Sequence, residues 1–117
     1  MKRFVNITRH LISCKTPLVL MMVLVSSFTV TAYAQEELWK ELNDKAAVLL
    51  QERRYADAIK VGEEALKVAE ETFPSDHPYI ATSMNLLGTL YRTYGRFAEA
   101  EPLFRQALTI YEEGLGS

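Results

Sequence analysis

The residue types that could carry out chemistry are few in this sequence, and their spacing does not suit catalysis. His77 directly follows Asp76, a pair that could act in acid–base chemistry or bind a metal ion. A metal site needs three or four protein ligands, and the other histidine, His10, lies in an N-terminal segment that we expect to be removed. We therefore interpret Asp76 and His77 as candidates to cap a helix. We expect no metal, no cofactor and no enzymatic activity.

The charged residues divide the chain of 117 residues into two parts. None of the fifteen acidic residues lies in residues 1–35, whereas four of the thirteen Lys and Arg residues lie in the first fifteen positions. The net charge of −2 is therefore the sum of a +4 segment and a −6 segment. An acidic segment without a basic stripe lacks the charge that binds phosphates, so we expect no nucleic-acid partner.

The N-terminal segment has the order of a secretory signal peptide. Residues 18–30 form an uncharged, mostly apolar run between a basic N-terminus and small residues. Ala32 and Ala34 supply the small side chains at the −3 and −1 positions, so we predict cleavage between Ala34 and Gln35. The protein would then be exported, to the periplasm or outside the cell, and would contact the membrane only transiently. The alternative is an uncleaved anchor, although a spanning helix needs about 20 apolar residues.

Residues 35–117 repeat themselves at a constant offset, which aligns position 43 with position 85. Nine of the 38 aligned pairs are identical without a gap. The identical pairs include Asn43/Asn85, Arg54/Arg96, Ala58/Ala100 and Ala65/Ala107. A single offset over this length indicates an internal duplication. The predicted organisation is a signal peptide over 1–34, a first repeat over 35–77 and a second repeat over 78–117.

Each repeat is predicted to form two helices. Apolar residues recur at helical spacing in both halves of each repeat, and Tyr94-Gly95-Arg96 predicts a turn in the second repeat because glycine permits a positive φ. Pro74 should end the preceding helix, and Pro78 suits the first turn of the next. Pro102 falls within about the first turn of its helix, where a proline is tolerated. The predicted fold is all-α, with two helix-turn-helix units.

The second repeat resembles the tetratricopeptide repeat (TPR) family. The residues that carry the resemblance, in the order of the family signature, are Met84, Leu87, Gly88, Tyr91, Gly95, Phe97, Ala100, Phe104 and Ala107. The period of 42 exceeds the usual repeat length of about 34. Together with Asp76-His77-Pro78 and residues 91–103, the longer period resembles the kinesin-light-chain type of repeat. The resemblance implies a short right-handed α-solenoid.

The resemblance also implies a partner-binding surface. In TPR arrays the first helix of each pair lines a concave surface that binds peptides or proteins. The residues that would face this surface are Lys40, Asn43, Ala47, Leu50, Thr82, Asn85, Thr89 and Arg92. Asn43 and Asn85 could bond both the N–H and the C=O of an extended peptide, or could instead bond neighbouring helices. Arg92 could meet a carboxylate or remain a solvated side chain.

Two repeats are fewer than the three or so that a solenoid needs for independent stability. The last helix also retains apolar residues, at Leu103, Phe104, Leu108 and Tyr111. We therefore expect either that the array is part of a longer one or that the chain self-associates through an exposed last helix. The functional hypothesis is an exported protein-interaction module that binds a peptide or a partner protein. The alternative is a membrane-anchored accessory or assembly subunit of an envelope complex.

Overall fold

The computed structural model describes residues 2–116, and the side chains of residues 22–24 and 26–115. The regular structure of this part is helical. The helices are α1 (Lys2–Gln51), α2 (Tyr55–Thr72), α3 (Pro78–Tyr94) and α4 (Phe97–Gly116). The predicted all-α repeat fold is therefore confirmed.

The chain divides into two compact units, residues 1–33 and residues 34–117. In the first unit the large apolar side chains from Met22 onward that the structure describes are exposed, with Phe28 at 77%. The basic residues of the predicted signal peptide and Cys14 lie outside the described side chains. In the part of the chain that the structure describes, no helix has an apolar stretch long enough to cross a bilayer.

The two turns within the repeats share one backbone geometry. Gly95 has a φ of 93° and Arg53, at the equivalent position of the first repeat, has a φ of 62°. The next residue, Arg54 or Arg96, donates its backbone N–H to the carbonyl five residues earlier, at 2.9 Å and 2.7 Å. This bond satisfies a carbonyl that the end of the helix would otherwise leave without a partner. The turn predicted at Gly95 is confirmed.

The loop between the repeats ends one helix and begins the next as predicted. Pro74 restricts the preceding residue to extended backbone, and Phe73 accordingly has φ −108° and ψ 155° at the end of α2. His77 is the N-cap of α3, where its Nδ1 accepts the backbone N–H of Tyr79 at 3.1 Å. Pro78 follows as the first residue of α3. The interpretation of His77 as a capping residue is confirmed.

Pro102 lies deeper in its helix than predicted. Because α4 begins at Phe97, Pro102 is its sixth residue and lies inside the helix. An ordinary residue there would donate its N–H to the carbonyl of Ala98, a bond that proline cannot make. The expectation that Pro102 falls in the first turn is therefore wrong, because α4 starts immediately after the turn at Gly95.

Two clusters of buried apolar side chains stabilise the second unit. The first contains Ala46, Leu49, Ala58, Ile59, Leu87, Leu90, Tyr91 and Ala100, and the second contains Trp39, Ala69, Ile80, Ala81, Met84, Ala107 and Ile110. Small residues let the helices approach closely. A β-carbon built at Gly62 would lie 3.0 Å from a Leu90 methyl, and one at Gly88 would lie 3.0 Å from the Phe104 ring. Contacts this close leave no room for a larger side chain.

The last helix is less exposed than predicted. Leu103, Phe104 and Tyr111 are partly buried and pack against the two clusters. Leu108 alone of the four predicted residues is exposed, at 56%. The prediction of an exposed apolar face is thus correct only for Leu108, because α3 packs closely against the other three.

Candidate partner-binding surface

Asn43 of α1 belongs to a chain of hydrogen bonds that joins α1 to α3. The indole Nε1 of Trp39 donates to the hydroxyl of Ser83 at 2.6 Å. That hydroxyl donates in turn to Oδ1 of Asn43 at 3.4 Å. Trp39 and Ser83 are buried, at 5% and 1% exposure, whereas Asn43 is half-buried at the edge. The carbonyl oxygen of Asn43 is therefore already engaged within the protein.

Asn85 occupies the equivalent position on α3 but has a different environment. It is half-buried, and its side chain makes no hydrogen bond to any residue that the structure describes. Its backbone carbonyl accepts the hydroxyl of Thr89 at 2.8 Å. An amide with two donors and an acceptor, all available, can bond both polar groups of an extended backbone. Asn85 is therefore better placed than Asn43 to bind a ligand.

The remaining predicted residues on α1 and α3 fall into two groups. The first group is half-buried along the helices and comprises Ala47, Leu50, Thr82 and Thr89. The Thr82 hydroxyl donates to the carbonyl of Pro78 at 3.0 Å, so both threonine donors are used within α3 while their oxygens can still accept. Leu50 packs against the first cluster. This group offers a shallow, partly apolar surface with hydrogen-bond acceptors.

The two predicted basic residues are exposed. Lys40 lies 3.8 Å from the carboxylate of Glu37 on α1. The guanidinium of Arg92 lies over the ring of Phe104, 5.6 Å from its centroid. Arg92 thus leans toward α4, where a cation–π contact holds it.

Ser83 and the aromatic cluster beside it are functional-site features that the sequence did not reveal. Trp39 stacks on Tyr79 with centroids 4.3 Å apart and meets Phe73 edge-on at 5.7 Å. His77 stacks on Phe73 at 4.6 Å. The repeat alignment pairs Ser83 with Glu41, an exposed residue, so the first repeat gave no indication that Ser83 is buried.

A second polar cluster lies near the opposite end of α3. The hydroxyl of Tyr91 donates to Oε1 of Glu63 on α2 at 2.5 Å. The guanidinium of Arg96 lies 4.5 Å above the Tyr91 ring and also pairs with Glu99. Burial, together with the bond to Glu63, raises the pKa of Tyr91 to about 12. The tyrosine therefore stays protonated and joins α2 to α3.

Neither polar cluster has the composition of a metal centre. Among the described residues, no three His, Cys, Asp or Glu side chains converge on a point where they could hold an ion. The surfaces of α1 and α3 instead offer amide, hydroxyl and cationic groups beside apolar residues. Such groups can bond the polar groups of a polypeptide backbone.

Paired antiparallel helices that repeat at a fixed offset define a helical-repeat protein. The sequence model of the tetratricopeptide repeat family matches residues 37–113. The chain belongs to this family.

One curated relative is the secreted RxLR effector protein RXLR-C07 of Plasmopara halstedii. It is 28% identical over 75 residues, which are 64% of this chain and 23% of the relative. The chain thus spans about a quarter of the length of this relative.

Proposed function

We propose that this chain is an exported interaction module that binds an extended peptide segment of a partner protein across α1 and α3. Tetratricopeptide repeats mediate protein–protein interactions. The available amide of Asn85 is the observation that carries the proposal, because a half-buried amide without a partner is favourable only when a ligand or solvent bonds it. The hydroxyl oxygen of Thr89 adds a hydrogen-bond acceptor, and the side chain of Leu50 adds an apolar contact.

The difference between the two asparagines assigns them different roles in the proposal. Asn85 anchors the backbone of the peptide, while Asn43 positions α1 against α3 through Ser83. Arg92 stands one turn beyond Thr89 and is available for an acidic side chain or a terminal carboxylate. Lys40 provides a second positive charge near the other end of the surface.

Export is supported by the order of charge, apolarity and small residues in the first 34 positions. The curated relative is named as a secreted protein. The proposed cleavage site, Ala34-Gln35, is exposed within α1. We assign the two repeats, 35–77 and 78–117, to the longer kinesin-light-chain type because of their long period.

Mass spectrometry of the protein recovered from producing cells tests the export proposal. A mature N-terminus at Gln35 is the expected result. A chain that retains residues 1–34 in the membrane fraction would instead support the anchored accessory subunit.

Binding is tested with peptides selected on the full chain from a random displayed library. We expect Asn85→Ala to weaken a selected peptide about tenfold, because two hydrogen bonds to its backbone are lost. Thr109→Ala is the control, since it truncates a polar side chain that is exposed on α4, outside the proposed surface. Asn43→Ala should lower the melting temperature more than Asn85→Ala does. Equal affinity for wild type and Asn85→Ala would show that the peptide binds elsewhere.

A further inference from the structure

An open groove lies between α1 and α2 of the first repeat. We call it the basic groove, and it has a volume of about 410 Å³. Its lining residues are Lys45, Leu49, Arg54, Asp57, Lys60 and Val61. Leu49 and Val61 form an apolar floor, and three of the four polar residues around it are cations. This surface is distinct from the Asn85 surface on α3.

Of the three cations of the basic groove, only Arg54 has carboxylate partners among the described residues, one of which is Glu52 at 3.8 Å. Arg54 bonds Asp57 at 2.9 Å, but Lys45 and Lys60 form no ion pair with any residue that the structure describes. Two lysines from different helices therefore face one opening, in a segment whose net charge is −6. A concentrated positive charge above an apolar floor attracts an acidic, amphipathic partner.

In the second repeat, helix α2 covers the surface equivalent to the basic groove. The residues of α2 therefore show what kind of helix fits such a surface. The repeat alignment maps Lys45, Leu49 and Arg54 onto Leu87, Tyr91 and Arg96. Helix α2 lies against all three. A β-carbon at Gly62 would be 3.3 Å from Leu87, and Glu63 bonds the Tyr91 hydroxyl.

The helix that covers the second repeat is itself acidic and amphipathic. In α2 the acidic residues outnumber the basic ones by five to two, and its buried face is apolar. Glu63 also interacts electrostatically with Arg96, the counterpart of Arg54. The contact inside the chain is therefore a template for Arg54 and the apolar floor of the basic groove, whereas Lys45 and Lys60 align with the uncharged Leu87 and Pro102.

We propose that the basic groove docks an acidic amphipathic helix of a partner protein, with a carboxylate beside Arg54 and the two free lysines. A second copy of this chain is a poorer occupant. If α4 of a second copy lay in the basic groove as α2 lies on the second repeat, Arg105 would take the place of Glu63. Like charges would then face each other.

The test uses a synthetic peptide with the sequence of residues 55–72, acetylated and amidated to remove its terminal charges. Binding to the full chain is followed by fluorescence anisotropy at low ionic strength. We expect saturable binding that weakens as salt is added. Lys45→Glu and Lys60→Glu should each weaken it about fivefold. Lys67→Glu is the matched control, because it makes the same charge change on α2 outside the groove.

Three results would overturn the proposal. The first is no binding to a wild-type chain that is folded by circular dichroism. The second is an equal loss in Lys67→Glu and Lys60→Glu. The third is a dimer in sedimentation velocity that Lys45→Glu dissociates, which would make a second copy the occupant. Because Asn85 lies outside the groove, failure here leaves the peptide-binding proposal standing, and the reverse also holds.

Discussion

Arg53 and Gly95 meet the same backbone requirement with different residues. Both have a left-handed conformation at the end of the first helix of their repeat. Such a backbone costs a residue with a β-carbon roughly 1–2 kcal/mol, and Arg53 is exposed without a contact that offsets this cost. The repeat alignment reveals the equivalence, but only the backbone geometry shows that Arg53 is strained.

We predict that Arg53→Gly raises the free energy of unfolding by about 0.5–1 kcal/mol, the left-handed penalty less the entropy cost of glycine. Urea denaturation followed by circular dichroism measures the change. Gly95→Ala is the reciprocal variant and should destabilise by about 1 kcal/mol. If Arg53→Gly left the free energy of unfolding unchanged or lowered it, the backbone at Arg53 would not be strained.

Tyr91 links protonation to stability. Burial and the bond to Glu63 raise its pKa from 10.0 to about 12. The folded state thus holds the proton more tightly than the unfolded state, so the stabilisation is complete below pH 10 and is lost as the pH rises through about 12.

We therefore predict that Tyr91→Phe costs about 1 kcal/mol at neutral pH and flattens the decline in stability between about pH 9.5 and 11.5. The measurement is urea denaturation across that range. Tyr94→Phe, at an exposed tyrosine on the same helix, is the control and should keep the wild-type decline. Parallel declines in wild type and Tyr91→Phe would show that Tyr91 is not the group responsible.

At the scale of elements, helix packing depends on glycine where two helices come closest. Gly88 on α3 lies against the ring of Phe104 on α4, and a β-carbon added to Gly88 would lie 3.0 Å from that ring. Gly62 has the same role between α2 and α3. The aligned residue of the second repeat is the much larger Phe104, and the nearness of Leu90 explains why glycine stands at position 62.

We predict that Gly88→Val lowers the free energy of unfolding by about 2 kcal/mol, because the added methyl groups displace Phe104 from the core. Thermal and chemical denaturation measure the loss. Gly114→Val is the control, since nothing lies within 4 Å of a β-carbon there, and it should be neutral or slightly stabilising. Similar stabilities for the two variants would mean that α3 and α4 can move apart at little cost.

The helices and their ends were predictable because their causes are local. Pro74 and Pro78 restrict the backbone at their own positions, and Gly95 permits a positive φ at its position. The constant offset between the repeats let each repeat serve as a check on the other. The predicted position of Pro102 within its helix was wrong. That prediction required the first residue of α4 to be known to within two or three residues. Boundaries of that precision depend on the turn geometry rather than on apolar spacing.

The sequence could place the candidate residues on α1 and α3, but it could not show that Asn43 and Asn85 have different environments. Equivalent positions implied equivalent roles for Asn43 and Asn85, yet Ser83 bonds the side chain of Asn43 and no described residue bonds the side chain of Asn85. The bond to Asn43 comes from Ser83 on the neighbouring repeat, so aligning the two repeats with each other could not indicate it. The basic groove could not be predicted from the sequence, because its lysines become neighbours only when α1 and α2 pack together.

At the scale of the whole molecule, the second unit combines a packed helical core with two surfaces of different character. The surface of α1 and α3 offers amide and hydroxyl groups together with Lys40 and Arg92, whereas the basic groove gathers three cations and one carboxylate around an apolar floor. Two surfaces on one small repeat unit suit a protein that joins one polypeptide to another. We propose that α1 and α3 together bind an extended peptide segment of a partner protein.

The most direct test is nuclear magnetic resonance of the isotope-labelled full chain, titrated with a peptide selected on it. We predict that amide shifts change along α1 near Asn43 and Leu50 and along α3 from Thr82 to Arg92, and that the side-chain amide of Asn85 shifts most. Shifts confined to α2 and α4, with the Asn85 amide unmoved, would contradict the account.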